Sequence, residues 1–219
     1  MIETFKNYTL KRQGEFMSTF VAIVGGSGAG KTTVANKIFE HFKKRTVCLN
    51  MDNYYKDLDA GTDPREVNFD TPSAFDFDLF FNHLKSLKNG NSIEVPSYSF
   101  VTYRRDSSRT TRIEPKELII VEGILVLYRE NIRRLFDLAI YVDEDGDERL
   151  IRRIERDTKE RGRSIESIIS QYRKFVAPAF RNFIEPQKYN CDIILPRGGK
   201  NEIGLSIIMN ALEKMTHSK

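Results

Sequence analysis

Gly25-Gly26-Ser27-Gly28-Ala29-Gly30-Lys31-Thr32 matches the pattern G-x-x-x-x-G-K-[ST] at every fixed position. The apolar run Phe20–Val24 before it predicts a buried strand, and after it apolar residues recur at helical spacing from Thr33 to Phe42. Glycines between a strand and a helix let backbone N–H groups face a polyphosphate at the positive end of the helix. The stretch therefore predicts a nucleoside triphosphate site. The alternative interpretation is a flexible Gly/Ser turn.

Two side chains at the end of this stretch carry its chemistry. Lys31 provides a mobile cation for the outer phosphates. Thr32 provides a hydroxyl group for Mg²⁺. Together they predict that magnesium accompanies the nucleotide.

The composition is that of one soluble globular domain with room for a small appendage. Of the 219 residues, 40% are hydrophobic and 30% are charged. No apolar run approaches the length that crosses a membrane, and residues 1–6 lack the apolar core of a secretory signal. Cys48 and Cys191 lie in apolar runs, so we expect buried thiols in a reducing compartment. We therefore expect a cytoplasmic protein with no membrane partner.

Strand and helix patterns alternate along the chain from residue 18 to residue 219. Residues 1–17 do not join the pattern and are interpreted as an N-terminal extension, either native or foreign to the protein. The predicted strands are Phe20–Val24, Thr46–Asn50, Leu118–Val121, Leu138–Val142 and Asp192–Leu195. The predicted helices are Lys31–Phe42, Phe75–Leu87, Asp147–Glu160, Ile165–Phe175 and Glu202–Met215. Continuous apolar strands between amphipathic helices predict an α/β fold: a mostly parallel five-stranded sheet with helices on both faces.

One stretch, Ser92–Glu114, breaks this alternation. It contains short β-prone pieces around a polar, arginine-rich centre, and it predicts a β-hairpin insertion. Tyr98, Phe100 and Tyr103 lie on this hairpin and could enclose a flat base by stacking.

Two acidic residues follow predicted strands at the edge where the glycine-rich loop lies. Asp52 could face the γ-phosphate, where it would accept a proton from an attacking hydroxyl group or hold a metal-bound water. Glu122 ends an apolar strand, a position that supports Mg²⁺ in such sites. The alternatives are a turn or helix-capping aspartate for Asp52, and a strand-terminal acid satisfied by backbone N–H groups for Glu122.

Basic residues concentrate between Arg149 and Arg163. The net charge is only +4, so this is a local cluster, and we expect no nucleic acid as partner. Arg149, Arg152 and Arg156 are helical neighbours that repel one another unless anions neutralise them. We interpret residues 149–163 as a lid over a transferring phosphoryl group. The alternative is a solvated helix whose acidic residues pair with the arginines.

Taken together, these motifs resemble the uridine–cytidine kinase family from about Phe20 to the last helix. The shared blocks are Gly25–Thr33, Asp52–Lys56, Asn68–Asp78, Glu122–Leu125, Arg152–Asp157, Glu160–Arg163, Gln171-Tyr172 and Ile194–Gly199. The resemblance implies a P-loop kinase fold. It also implies phosphorylation of uridine or cytidine at the 5′-hydroxyl group, which gives UMP or CMP in pyrimidine salvage.

The resemblance also implies roles for individual residues. The implied base is Asp52, and the other implied catalytic residues are Lys31, Arg156 and Arg161. The residues implied to bind the nucleotide, ATP or GTP, are Gly25, Gly26, Ser27, Gly28, Ala29, Gly30, Lys31, Thr32, Thr33, Arg197 and Lys200. The residues implied to bind the nucleoside are Tyr55, Asp70, Tyr98, Tyr103, Arg153, Arg163 and Gln171. The residues implied to support magnesium are Thr32, Glu122 and Asp52.

Members of the family are typically homotetramers and are often inhibited by CTP or UTP, so both properties become expectations. Two alternatives remain open. One is another small-molecule P-loop kinase, similar to phosphoribulokinase or pantothenate kinase. The other is a nucleotide-dependent regulatory switch. A guanine-reading Asn-Lys-x-Asp motif is not found at Asn36-Lys37, where the next residues are Ile38 and Phe39.

The chain departs from the family at Tyr103, where the common pattern has a histidine that helps to read the pyrimidine edge. A phenol offers one oxygen on a rigid ring, whereas an imidazole offers a donor and an acceptor on separate nitrogens. We therefore expect Tyr103 to narrow or shift the nucleoside preference, with cytidine favoured over uridine.

Overall fold

A computed structural model of the protein describes residues 17–59 and 61–217, so the predicted N-terminal extension lies outside the described residues except for Met17. The strands are β1 (Thr19–Val24), β2 (Thr46–Asn50), β3 (Ile93–Ser99), β4 (Arg104–Ile113), β5 (Leu118–Gly123), β6 (Leu138–Asp143) and β7 (Ile193–Pro196). The α-helices are α1 (Lys31–Phe42), α2 (Phe77–Lys88), α3 (Glu130–Arg133), α4 (Gly146–Arg161), α5 (Ile165–Gln171), α6 (Ala177–Ala179) and α7 (Glu202–His217).

Five strands form one sheet in the order β2-β5-β1-β6-β7, and every neighbouring pair is parallel. The predicted α/β fold with a parallel five-stranded sheet is therefore confirmed. β1 and β5 lie inside the sheet and are buried along their whole length, which explains their unbroken apolar sequences.

The two faces of the sheet carry separate cores, because successive side chains of β1 point to opposite faces. Phe20 packs with the buried side of α2, whereas Val21 packs with α1 and α7. Helices α1 and α7 therefore cover one face of the sheet, and α2 covers the other.

The predicted hairpin at residues 92–114 is present as the antiparallel pair β3-β4, with a register shift between Pro96 and Ser97. Helix α2 begins at Phe77 and not at Phe75, because the Asp76 side chain caps it by accepting the Leu79 N–H at 3.0 Å. Phe75 instead stacks on Tyr55, with ring centroids 4.1 Å apart.

The predicted helix Ile165–Phe175 is divided. Its α-helical part ends at Gln171 and continues as a π-helical segment, Tyr172–Val176, and a second π-helical segment, Phe180–Ile184, follows α6. Cys48 and Cys191 are free thiols that are half-buried, which is less than the full burial expected. Within the described ranges, no helix has both the length and the apolar character needed to span a membrane.

Candidate active site

The glycine-rich loop joins β1 to α1 in a conformation that requires its glycines. Gly25 has φ 151°, and a Cβ atom there would lie 2.4 Å from the carbonyl oxygen of Val142. Gly30, at φ 91°, is the residue before α1. The Lys31 ammonium group turns back over the loop and donates to the Gly26 carbonyl at 3.1 Å. Burial lowers the pKa of Lys31, and the nearby carboxylates of Glu122 and Asp52 oppose that shift.

The two predicted acids meet at the carboxyl edge of the sheet. Glu122, at the end of β5, accepts hydrogen bonds from the Thr32 hydroxyl at 2.8 Å and the Asn50 amide at 3.1 Å. Burial, reinforced by the charge of Glu122, raises the pKa of Asp52 to about 6. A carboxyl group with this pKa is a stronger base than an exposed aspartate and is still ionised near neutral pH.

Asn50 is a site residue that the sequence analysis missed. It is the last residue of β2 and lies directly opposite Glu122 in the register of β2 and β5. Its side-chain oxygen also accepts the backbone N–H of Asp52 at 2.8 Å. Asn50 therefore holds both Glu122 and Asp52 in place. The only feature of the sequence that could have indicated this role is a polar residue at the end of a predicted strand.

A cavity of about 250 Å³ extends from the loop along these acids. The predicted residues that line it are Ser27, Gly28, Gly30, Lys31, Thr32, Asp52, Tyr55, Asp70, Tyr103, Glu122, Arg153, Arg156, Arg161, Arg163 and Gln171. Its lining also includes Asn50, Phe69, Phe100, Gly123, Ile124 and Arg152. The topology thus brings residues from the loop, the sheet edge, the hairpin and α4 to one cavity.

Aromatic side chains between residues 55 and 103 form part of the cavity wall. Tyr103 has φ 55°, a conformation uncommon outside glycine, and its ring stacks on Phe69 with centroids 5.3 Å apart. Tyr55 contacts Phe69 edge-on at 6.0 Å. Tyr98 does not line the cavity. Its ring lies 5.2 Å from that of Tyr55, and its hydroxyl group has no hydrogen-bond partner among the described residues.

Asp70 is buried in the same cavity, and its Oδ2 atom also has no hydrogen-bond partner in the described ranges. Burial raises the pKa of Asp70, and the positive charge of Arg153 opposes this shift. A buried carboxylate oxygen without a partner is costly unless a ligand supplies a donor.

The arginine cluster surrounds one buried acid of the protein itself. Asp157, 0% exposed, forms ion pairs with the side chains of Arg153, Arg156, Arg161 and Arg163, at N–O distances of 2.8 to 3.6 Å. Asp157 thus supplies one internal counter-charge for the four arginines, and the expectation that external anions neutralise the rest stays a prediction. Arg161 also lies over the Phe100 ring, 4.2 Å from its centroid, which joins α4 to the hairpin.

Gln171 connects two of these arginines at the end of α5. Its side-chain oxygen accepts hydrogen bonds from Arg163 at 2.6 Å and Arg153 at 3.2 Å. Arg153 also donates to the Ser27 hydroxyl at 3.1 Å, so it links Gln171 to the phosphate loop.

Arg197 and Lys200 do not line the cavity and lie in a turn after β7. Gly199 of this turn packs against Thr33: a Cβ atom on the glycine would lie 2.5 Å from the threonine methyl group. The turn therefore lies beside the start of α1, on the outer side of the loop.

A family model, "Phosphoribulokinase / Uridine kinase family", matches residues 20–204 of the chain. A uridine kinase from Staphylococcus haemolyticus (strain JCSC1435) is 46% identical over 201 residues, which are 90% of this chain and 97% of that protein. A uridine kinase from Clostridium perfringens (strain SM101 / Type A) is 45% identical over 199 residues, which are 90% of this chain and 95% of that protein.

Solved structures share the fold at low sequence identity. Phosphoribulokinase from Rhodobacter spheroides has a TM-score of 0.62 and 18% identity, covering 83% of this chain and 71% of that one. A possible uridine kinase from Bacillus stearothermophilus has a TM-score of 0.56 and 18% identity, and the match covers 85% of this chain and 91% of that one. Because the family model spans most of the chain and the curated relatives align over nearly their whole length, the chain belongs to the phosphoribulokinase and uridine kinase family and is a phosphotransferase.

Proposed function

We propose that this enzyme transfers the γ-phosphoryl group of ATP to the 5′-hydroxyl group of a pyrimidine nucleoside, uridine or cytidine. The observation that carries the proposal is a single cavity lined by residues of the phosphate loop, by Asp52 and by the aromatic side chains of Tyr55, Phe69 and Tyr103. Relatives named uridine kinase, more than 40% identical to the chain, support the same acceptor.

The donor end of the cavity fits a triphosphate with magnesium. The loop N–H groups and Lys31 bind the phosphates, and the hard oxygen donors of Thr32, Glu122 and Asp52 suit Mg²⁺. The described residues contain no group of three or more His, Cys, Asp or Glu side chains able to hold a metal ion. The remaining ligands would therefore be phosphate oxygens and water, as is usual for Mg²⁺. Bound there, the ion would neutralise charge on the phosphate oxygens.

Asp52 accepts the proton of the 5′-hydroxyl group as its oxygen attacks the γ-phosphorus. The new bond joins that oxygen to phosphorus, and the bond to the bridging oxygen of ADP breaks. The raised pKa of Asp52 matches this role, because the carboxylate takes up a proton more readily than an exposed aspartate. Arg156 and Arg161 line the cavity and stabilise charge on the transferring group.

The acceptor end of the cavity fits a ribose with a flat base. The unpartnered Oδ2 atom of Asp70 would accept hydrogen bonds from the ribose hydroxyl groups. Tyr55, Phe69 and Tyr103 enclose the base by stacking, while Arg153, Arg163 and Gln171 provide polar groups at the same wall. Tyr98 supports this wall through its contact with Tyr55.

Several finer properties belong to the same proposal and rest on the resemblance to uridine–cytidine kinases. The enzyme uses ATP or GTP as donor with Mg²⁺, prefers cytidine because of Tyr103, and assembles as a homotetramer. CTP or UTP inhibits it. It acts in pyrimidine salvage in the cytoplasm, in keeping with the two free thiols of Cys48 and Cys191. Arg197 and Lys200 border the adenine, and residues 149–163 close over the phosphates as a lid.

A coupled assay of ADP release over a panel of acceptors tests the function. We expect turnover with uridine, cytidine or both, and none with ribulose phosphate or pantothenate. Turnover with one of the latter two and none with nucleosides would replace the proposal by another kinase activity of the family. Nucleotide binding without turnover on any acceptor would favour a regulatory switch.

A further inference from the structure

Arg149, in the first turn of α4, lies behind the phosphate loop and does not line the cavity. Its side chain is 7% exposed, and its guanidinium carbon lies 3.9 Å from the centroid of the Phe180 ring. A Cβ atom at Gly26 would lie 2.4 Å from Arg149 Nη1 and 3.0 Å from the Phe180 ring. The guanidinium group therefore fills the space left by the missing side chain of Gly26, between the loop and the ring.

The backbone of Arg149 supports the loop at a second point. Gly28 has φ 81°, and a Cβ atom there would lie 2.4 Å from the carbonyl oxygen of Arg149. The Arg149 side chain is itself oriented by a hydrogen bond from Nε to the Glu144 carbonyl at 3.1 Å. Two glycines of the loop thus pack on the side chain and the backbone of one residue.

Two further arginines of α4 hold the loop from the cavity side. Arg153 donates to the Ser27 hydroxyl at 3.1 Å, and Arg152 donates to the Gly28 carbonyl at 3.3 Å. The start of α4 is therefore fixed to the loop, and Arg149 is the member of this group that acts from outside the cavity.

The charge of Arg149 has no partner of opposite sign: in the described part of the chain no carboxylate forms an ion pair with it. A buried cation that forms no ion pair, next to a loop built for phosphates, raises the positive potential at the anion site. The contact with Phe180 keeps the cation there, because a desolvated guanidinium group is attracted to the face of an aromatic ring.

We propose that Arg149 is a positioning residue for nucleotide binding: stacked on Phe180, it holds the phosphate loop in its anion-binding shape and adds positive charge behind it. The inference rests on the proposed use of ATP, and it assigns Arg149 a role distinct from that of the arginines that line the cavity.

Binding of a non-hydrolysable ATP analogue with Mg²⁺, measured by calorimetry without any acceptor, tests this role in Arg149→Met and Phe180→Leu. We expect Arg149→Met to weaken binding by about tenfold or more and Phe180→Leu by about threefold or more, because the first removes the charge and the second only the stacking surface. Arg181→Met is the matched control, an exposed arginine next to Phe180, and should bind the analogue as the wild type does.

A purely structural role would impair the use of both substrates alike, whereas the proposed role affects the nucleotide selectively. We expect the KM for uridine to stay within about threefold of wild type in both variants, since neither Arg149 nor Phe180 lines the cavity. Wild-type affinity for the analogue in folded Arg149→Met would overturn the proposal, as would equal losses for uridine and the analogue. If Arg149→Met does not fold, the affinity for the analogue and the KM for uridine are measured in Phe180→Leu, and the same results overturn the proposal. Failure of the proposed function would appear separately, as wild-type enzyme that binds the analogue and phosphorylates neither uridine nor cytidine.

Discussion

Asp52 and Glu122 lie close together beneath the phosphate loop, and their hydrogen bonds give them different roles. Glu122 is held by the Thr32 hydroxyl and the Asn50 amide, so its position is fixed. The carboxylate of Asp52 makes no hydrogen bond or ion pair within residues 17–59 and 61–217, and its pKa is raised to about 6. The fixed acid is suited to support a metal ion, whereas the one with open hydrogen-bonding capacity is suited to take a proton.

We expect Asp52→Asn to lower kcat by ~10²–10⁴-fold, the usual loss when a general base is removed. Asparagine keeps the size of the side chain, and the loop that binds the phosphates is untouched. Affinity for a non-hydrolysable ATP analogue should therefore remain close to wild type. Steady-state kinetics and calorimetry check the two expectations, and near-normal kcat would remove Asp52 from the chemical step.

We expect Lys31→Ala to abolish most turnover in a different way. In its proposed role Lys31 stabilises phosphate charge before and during the transfer, so both kcat and the affinity for the ATP analogue should fall. The same two measurements as for Asp52→Asn separate the residues. Undiminished affinity for the analogue in Lys31→Ala would contradict the position of Lys31 against the outer phosphates.

Tyr103 provides a prediction about specificity. Its ring stacks on Phe69 at the cavity wall, in a backbone conformation that holds it there. We expect the wild type to prefer cytidine and Tyr103→His to restore uridine, because an unpaired polar atom on the buried base edge costs ~1–3 kcal/mol, about tenfold or more in kcat/KM. Ratios of kcat/KM for the two nucleosides measure this. Equal use of both by the wild type, unchanged by the substitution, would exclude Tyr103 from base selection.

At the scale of elements, α4 combines two tasks along one helix. Its first turns hold the loop through Arg149, Arg152 and Arg153, and its last turn presents Arg156 and Arg161 to the cavity. Asp157 lies between these groups with no exposure to solvent and orients the arginines of the last turn. In the lid predicted over residues 149–163, the first residues are therefore fixed to the glycine-rich loop, and only the last residues are placed to move on closure.

We expect Asp157→Asn to lower kcat by about tenfold or more, because asparagine keeps the volume and removes the charge that gathers Arg156 and Arg161. The midpoint of thermal unfolding should fall as well, since the arginines are left without their buried partner. Glu155→Gln is the control: it removes an exposed acid from the same helix and should change neither quantity. Unchanged kcat in Asp157→Asn would show that the arginines are positioned by other contacts.

The sequence predicted those elements whose signal is local. β1 and β5 are continuous apolar runs because both faces of the sheet are covered, and the loop motif specifies its own strand and helix. The partners that organise the site were not predictable, because they depend on strand register and helix packing. Asn50 meets Glu122 only through the pairing of β2 with β5, and Asp157 entered the sequence analysis only among the acids of the alternative, a solvated helix.

At the scale of the whole molecule, the candidate site lies at the carboxyl edge of the parallel sheet, and a cluster of stabilising contacts around Arg45 lies at the opposite edge. The loop follows β1, Asp52 follows β2 and Glu122 lies at the carboxyl end of β5, as expected for a sheet of this kind. At the opposite edge, Arg45 precedes β2 and donates to Glu117, before β5, at 2.8 Å and to Glu213 of α7 at 2.9 Å. It also donates to the Thr216 hydroxyl at 3.1 Å, so one side chain joins the edge of the sheet to the last helix.

We expect Arg45→Ala to lower the free energy of unfolding by ~1 kcal/mol, because three hydrogen bonds are lost at a position that is partly open to solvent. Both kcat and KM should stay at their wild-type values, since the site lies at the other edge of the sheet. Urea denaturation and steady-state kinetics measure the two effects. The control is Arg134→Ala, which breaks the exposed pair with Glu130 and should cost ~0.5 kcal/mol or less. A loss of activity in Arg45→Ala without a loss of stability would contradict the separation of the two edges.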